Sequence, residues 1–127
     1  MGTQAERLIL TGTAPSVNHM YRNVMLKGRR CRVLTAQAHI WVEETIMKSV
    51  LWRKQNQWSM ATGKVVVRIW YYFPDKKRRD THNTLKALLD ALEAAYIYED
   101  DKYALPWIMD YQVDKENPRI EIEFEKV

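Results

Sequence analysis

Apolar residues recur along this chain at two distinct periods. Leu85, Leu88, Leu89 and Leu92 follow the i, i+3, i+4, i+7 spacing, which predicts a helix from about Thr81 to Tyr96. Asn83, Lys86, Ala87 and Asp90 repeat at the same spacing on the other side, so that side is expected to face outward. A longer helix is predicted from a Thr35 cap to about Gln55, with Ile40, Met47 and Leu51 on one side and Ile46 and Val50 close by as its apolar face. Period-two alternation marks the strands. In Lys64 to Phe73, Val65, Val67, Ile69, Tyr71 and Phe73 point one way. Val66, Trp70 and Tyr72 make the other face partly apolar, so this strand is expected at the centre of a sheet.

Arg119 to Glu125 alternates Ile120, Ile122 and Phe124 with Glu121, Glu123 and Glu125. A partner strand for it is expected around Met109 to Asp114, joined through Asn117-Pro118. Arg7 to Thr11 reads as a short first strand closed by Gly12 and Pro15. The stretch from Tyr21 to Leu34, with Lys27-Gly28 at its middle, reads as a loose hairpin or a basic flap. Strands and helices interleave, so the expectation is one α/β domain over residues 1–127, a mixed sheet packed by two main helices.

Composition narrows the class. With 127 residues, 46% of them hydrophobic, the chain suits one compact domain. A net charge of +4 is a mild excess, and its distribution says more than its sum. Lys27, Arg29, Arg30 and Arg32 form one basic cluster and Lys76, Lys77, Arg78 and Arg79 another, while acidic residues concentrate after position 90. Cys31 is the single cysteine, which excludes an intramolecular disulfide and a cysteine-rich zinc site. No apolar run has the length of a membrane span, and the stretch beginning Met1-Gly2-Thr3 carries no signal-peptide pattern. A reducing cytosol is the expected compartment, with no membrane partner.

The chemistry gathers after the central strand. Lys76 to Arg79 run straight into Asp80, and beyond the second helix lies Glu99-Asp100-Asp101. Taken singly, each has a plain role: Asp80 as a helix cap, Asp90 as a solvated partner of Lys86, Asp100-Asp101 as a polar loop, the lysines and arginines as a solvated run. Taken jointly, with the loop folded back on the helix, crowded carboxylates beside Lys86 call for a bound cation, and the basic run attracts phosphate. That combination is what a metal-dependent phosphodiesterase requires. His19, His39 and His82 lack zinc-ligand spacing, and there is no Gly-x-Ser-x-Gly turn, phosphate loop or dinucleotide fingerprint. Trp41, Trp52, Trp58, Trp70 and Trp107 could stack on bases, but most are expected in the core or in a dimer contact. Pro15-Ser16-Val17-Asn18 reads as a turn, or alternatively as a substrate-contacting loop.

These residues resemble the RusA family of Holliday-junction resolvases, small endonucleases often carried by prophages. The likeness spans nearly the whole chain. Pro15-Ser16-Val17-Asn18 and Tyr21 resemble the family's Pro-Ser-x-Asn-x-x-Tyr turn. Arg78-Arg79-Asp80-Thr81-His82-Asn83, then Lys86, Asp90-Ala91-Leu92 and Asp100-Asp101, resemble its Arg-Arg-Asp-x-Asp-Asn, lysine, Asp-Ala-Leu and Asp-Asp series without a gap. The resemblance implies a homodimer cutting branched DNA, the four-way junction above all. It further implies Asp80 and Asp101 as magnesium ligands and Lys86 near the scissile phosphate.

One departure matters: by this resemblance His82 stands where the family motif has its second carboxylate. Imidazole is softer and neutral, better suited to manganese or zinc. His82 then ligates metal itself, orients an attacking water, or marks a site that binds branched DNA without cutting it. Asp90 and Asp100 are further candidate ligands. Asn83 joins Arg78, Arg79, Lys76, Lys77 and the Lys27 to Arg32 cluster as candidate DNA contacts, gripping phosphates without reading sequence. A third possibility is a structural subunit whose basic patches serve only solvation.

Overall fold

The computed structural model describes residues 6–12, 14, 20–77 and 81–127, the side chain of Asn83 excepted. Arg78, Arg79, Asp80 and the Pro15 to His19 segment therefore lie outside the described residues. In chain order the elements are β1 (Leu8–Thr11), β2 (Tyr21–Leu26), β3 (Arg29–Leu34), α1 (Ala36–Gln55), β4 (Val65–Phe73), a 3-10 turn (Thr81–Thr84), α2 (Leu85–Ala94), a second 3-10 turn (Asp101–Tyr103), β5 (Ala104–Val113) and β6 (Arg119–Lys126).

Four strands make one mixed sheet in the order β1-β6-β4-β5, and β2-β3 form a separate hairpin. As its two-sided pattern predicts, β4 is central. Val65, Val67, Ile69, Tyr71 and Phe73 are buried, and the residues between them are half-buried. The partner expected for β6 is corrected. β5 does not pair with β6; it runs parallel to β4, and β6 pairs antiparallel with the opposite edge of β4. The physical reason is that β4 and β5 are joined through α2, a crossover that lays two strands parallel and side by side. β5 is also longer than expected, beginning at Ala104, with a bulge opposite Ile69/Trp70.

α1 begins where Thr35 caps it, its hydroxyl accepting from the Ala38 N–H at 3.2 Å. Its inward face keeps Ile46 and Val50, which pack partly buried against the core, but not the rest of the expected apolar side. Ile40, Met47 and Leu51 are more than half exposed, and Ala38, Thr45, Ser49 and Trp52 are buried instead. Small residues let α1 approach α2 and β1 closely, and Trp52 fills the gap toward the sheet. Trp52 Nε1 donates to the Glu6 carbonyl at 2.7 Å, and its ring meets those of Trp58 and Phe124 at centroid distances of 5.7 and 5.1 Å. In α2, Leu88 and Leu92 are fully buried in the main core and Leu85 and Leu89 partly so. Ala87 also turns inward, packing with Met20 and Ala38 at the root of the hairpin.

Candidate active site

The site is assembled on α2 and the loop that leaves it. Entrance to the helix is fixed from β4: Tyr71 Oη lies 2.8 Å from Thr84 Oγ1, which itself donates to the Thr81 carbonyl at 3.1 Å. Burial pushes the Tyr71 phenol up, so it stays neutral. The first turn of the predicted helix is thus the 3-10 turn Thr81–Thr84, which carries His82 and Asn83.

Beyond it, Lys86, Asp90 and Glu93 share one helical face at i, i+4 and i+7. Lys86 Nζ is 3.2 Å from Asp90 Oδ1. The helix stops without glycine. The Tyr96 N–H donates to the Glu93 carbonyl at 3.0 Å and the Ile97 N–H to the Leu92 carbonyl at 3.1 Å, with Tyr96 at φ 63°. This is a Schellman end in which a tyrosine occupies the left-handed position. It reverses the chain sharply and buries Ile97 and Tyr98. Tyr98 then ties the loop to the helix by donating to the Leu89 carbonyl at 2.5 Å. Segment 58–61 braces it from outside. The Trp58 indole donates to the Ile97 carbonyl at 2.8 Å, and the Glu99 N–H donates to the Ala61 carbonyl at 2.9 Å.

The returning loop brings its acidic residues onto α2. Asp100 caps the second 3-10 turn by accepting from the Lys102 N–H at 2.9 Å. The Asp101 N–H donates to Glu93 Oε1 at 2.7 Å, and Asp101 Oδ2 stands 4.0 Å from Lys86 Nζ. Glu93, Asp100 and Asp101 each offer a carboxylate oxygen, all within 4.8 Å of one another. A hydrogen bond with Asp90, partial burial and the charges of Glu93 and Asp90 hold the Asp101 carboxyl above its ordinary range, against the pull of Lys86. Asp90, through its hydrogen bond and charge, in turn raises Lys86, which stays an ammonium. Repulsion within this cluster is the electrostatic demand that a divalent cation relieves, and three hard oxygens suit such an ion.

The structure thus brings together Lys86, Asp90, Asp100 and Asp101. It adds Glu93, which the sequence reading passed over although the Lys86–Asp90 spacing extends to it. His82 is exposed and stands outside the carboxylate trio. It lines a cleft of about 590 Å3 with Leu85, Pro106, Ile108, Asp110 and Tyr111. Lys76 and Lys77 line a second cleft, of about 560 Å3, with Phe73, Tyr111 and Val113. Lys27, Arg29, Arg30 and Arg32 sit on the hairpin, and its first residue, Tyr21, lies near enough to Lys86 to act on its charge.

Compared with known protein families, residues 13–125 match the family described as endodeoxyribonuclease RusA. The chain belongs to the RusA family. The match takes in every element from β2 to β5, the whole α2 site and nearly all of β6. RusA membership carries endodeoxyribonuclease activity on Holliday junctions, and RusA nucleases are in general dependent on a divalent metal, in keeping with the acidic cluster. A search of curated proteins gave no significant match. No helix among the described residues is long and apolar enough to cross a membrane.

Proposed function

We propose that this RusA-family chain is an active, metal-dependent, homodimeric resolvase of four-way DNA junctions, working in the cytoplasm in recombination or repair. The observation that carries this reading is Asp101 brought back against α2, 4.0 Å from Lys86 and within the trio with Asp100 and Glu93. Asp80, Asp101 and Asp100 would hold magnesium or manganese, with Asp90 and Glu93 supplying neighbouring negative charge. The metal, when bound, supplies Lewis-acid polarisation of the phosphodiester and a more acidic water. Lys86 keeps its proton and faces the developing charge on the phosphoryl oxygens, an interaction that strengthens toward the transition state. His82 would serve as an additional ligand or orient the attacking water. Arg78, Arg79, Lys76, Lys77, Asn83 and the basic hairpin grip flanking phosphates.

Dimerisation has a physical basis in β5. This ten-residue edge strand keeps Trp107 57% and Tyr111 68% exposed, with Leu105, Met109 and Val113 also open. The exposed apolar side chains of this edge strand offer a surface to a second copy, and a two-fold junction demands two equivalent sites.

The test is cleavage of a labelled four-way junction and a matched linear duplex, in magnesium and separately in manganese. Paired symmetric nicks in the junction alone are expected, and Asp80→Asn or Asp101→Asn should abolish them while junction binding persists. Junction binding without nicks in either metal would make the protein a branched-DNA binder on a nuclease scaffold. Loss of binding together with cleavage in Asp80→Asn would assign that residue a structural role.

A further inference from the structure

The hairpin β2–β3 stands apart from the main sheet, and its construction exceeds what phosphate contact requires. Its turn is two residues, Lys27 at φ 53° and Gly28 at φ 77°, the paired positive angles of a tight type I′ connection. The register sets Met25 opposite Arg30 and Leu26 opposite Arg29. Met25 is 63% and Leu26 54% exposed, so beside the Lys27-Gly28 turn each face of the ribbon carries one bare apolar side chain next to the arginine paired across from it. No acidic residue occurs from Met20 to Val42. At its root the ribbon is firmly held. Met20 is buried with Ala38 and Ala87, and the Thr35 N–H donates to the Met20 carbonyl at 2.8 Å. The strand from Tyr21 to Leu26 carries the tip about 17 Å from that root. A solvated basic flap gains nothing from two bare hydrophobic side chains at its end. A ribbon that enters a base stack does, because the apolar tip replaces a lost stacking partner while the basic flanks neutralise phosphates on either side.

We propose that the β2–β3 hairpin is a wedge whose tip residues, Met25 and Leu26, insert into the base stack at the branch of the DNA held by the α2 site. The inference rests on the branched-DNA reading above. The branch is the favoured point of insertion because its pairs are bounded by a discontinuity, so parting them costs least. Arg29, Arg30 and Lys27 supply affinity; Met25 and Leu26 supply distortion.

The experiment uses the whole chain carrying Asp101→Asn, with a four-way junction that holds 2-aminopurine beside the branch. Binding should raise the fluorescence several-fold as the base unstacks. Met25→Ser with Leu26→Ser should abolish that rise while leaving the junction Kd within about threefold and the salt dependence intact. Arg29→Ala with Arg30→Ala should weaken binding and lower the salt slope by about two. Unchanged thermal midpoints keep misfolding out of the comparison. A fluorescence rise that survives in the double-serine protein, or no rise when the parent protein is bound, overturns the wedge and leaves the resolvase reading standing. Failure to prefer the junction over linear duplex overturns the branched-DNA reading itself, and the wedge with it.

Discussion

The backbone N–H of Asp101 donates to Glu93 Oε1 at 2.7 Å, so a helix side chain sets the position of a loop carboxylate. Glutamine keeps the acceptor oxygen and loses only the charge. If positioning is the role, Glu93→Gln should keep kcat at saturating magnesium close to the parent value. Glu93→Ala should then lose at least about tenfold, a barrier change of about 1.4 kcal/mol. Single-turnover junction cleavage across a magnesium titration separates the roles. A Gln variant that needs far more metal but recovers full rate would show that Glu93 is itself a ligand.

Tyr96 holds a left-handed backbone, φ 63°, at the end of α2, where glycine meets no steric penalty. Tyr96→Gly should therefore stabilise the protein, by up to about 1 kcal/mol once the greater freedom of unfolded glycine is subtracted. Urea unfolding measures it. A loss of stability would mean that the Tyr96 side chain, which lies under the Arg53 guanidinium at 5.9 Å, contributes more than the strain costs.

His82→Asp puts a carboxylate where the resemblance to RusA nucleases implies one. Magnesium-supported cleavage should rise relative to manganese-supported cleavage, because a hard charged oxygen replaces a softer neutral nitrogen. Identical metal profiles in the two proteins would remove His82 from the metal's surroundings.

Trp107 projects from edge strand β5. Replacing it with glutamate puts a charge into any apolar interface formed there. Sedimentation equilibrium should then show Trp107→Glu as a monomer, with paired nicking lost. A dimer that persists would locate the two-fold contact elsewhere.

Asp114 accepts from Arg119 Nη1 at 2.8 Å, and that guanidinium also stacks on Tyr72 at 3.8 Å. The hydrogen bond from Arg119 holds the Asp114 carboxyl below its ordinary range. A carboxylate lowered in the folded state contributes stability that is complete above its unfolded pKa and is lost as pH falls through the folded one. Asp114→Asn should therefore be less stable than the parent near pH 7 and converge with it in acid. Thermal midpoints across that range provide the check, and a constant gap would deny the ionic origin.

Local chemistry determined much of this protein. The alternation of β4, the Leu85 to Leu92 stripe, the Thr35 cap and the Lys27-Gly28 midpoint of the hairpin are short-range physics, visible in sequence because each depends on neighbours within a few residues, although the hairpin proved tight rather than loose. Of the candidate site, the Lys86–Asp90 contact was legible for the same reason, since the two lie one helical turn apart. Three features were decided only by tertiary structure. The burial of Ser49 and Thr45 in place of Met47 and Leu51 depends on how closely α1 approaches α2, and hydrophobicity alone carries no information about distance. The pairing of β5 with β4 depends on a crossover through α2 rather than on its short link to β6. The joining of Asp101 to Glu93 and Lys86 depends on a left-handed tyrosine that reverses the chain. Side-chain identity sets what a segment prefers locally; which segments meet is set by the burial they achieve together.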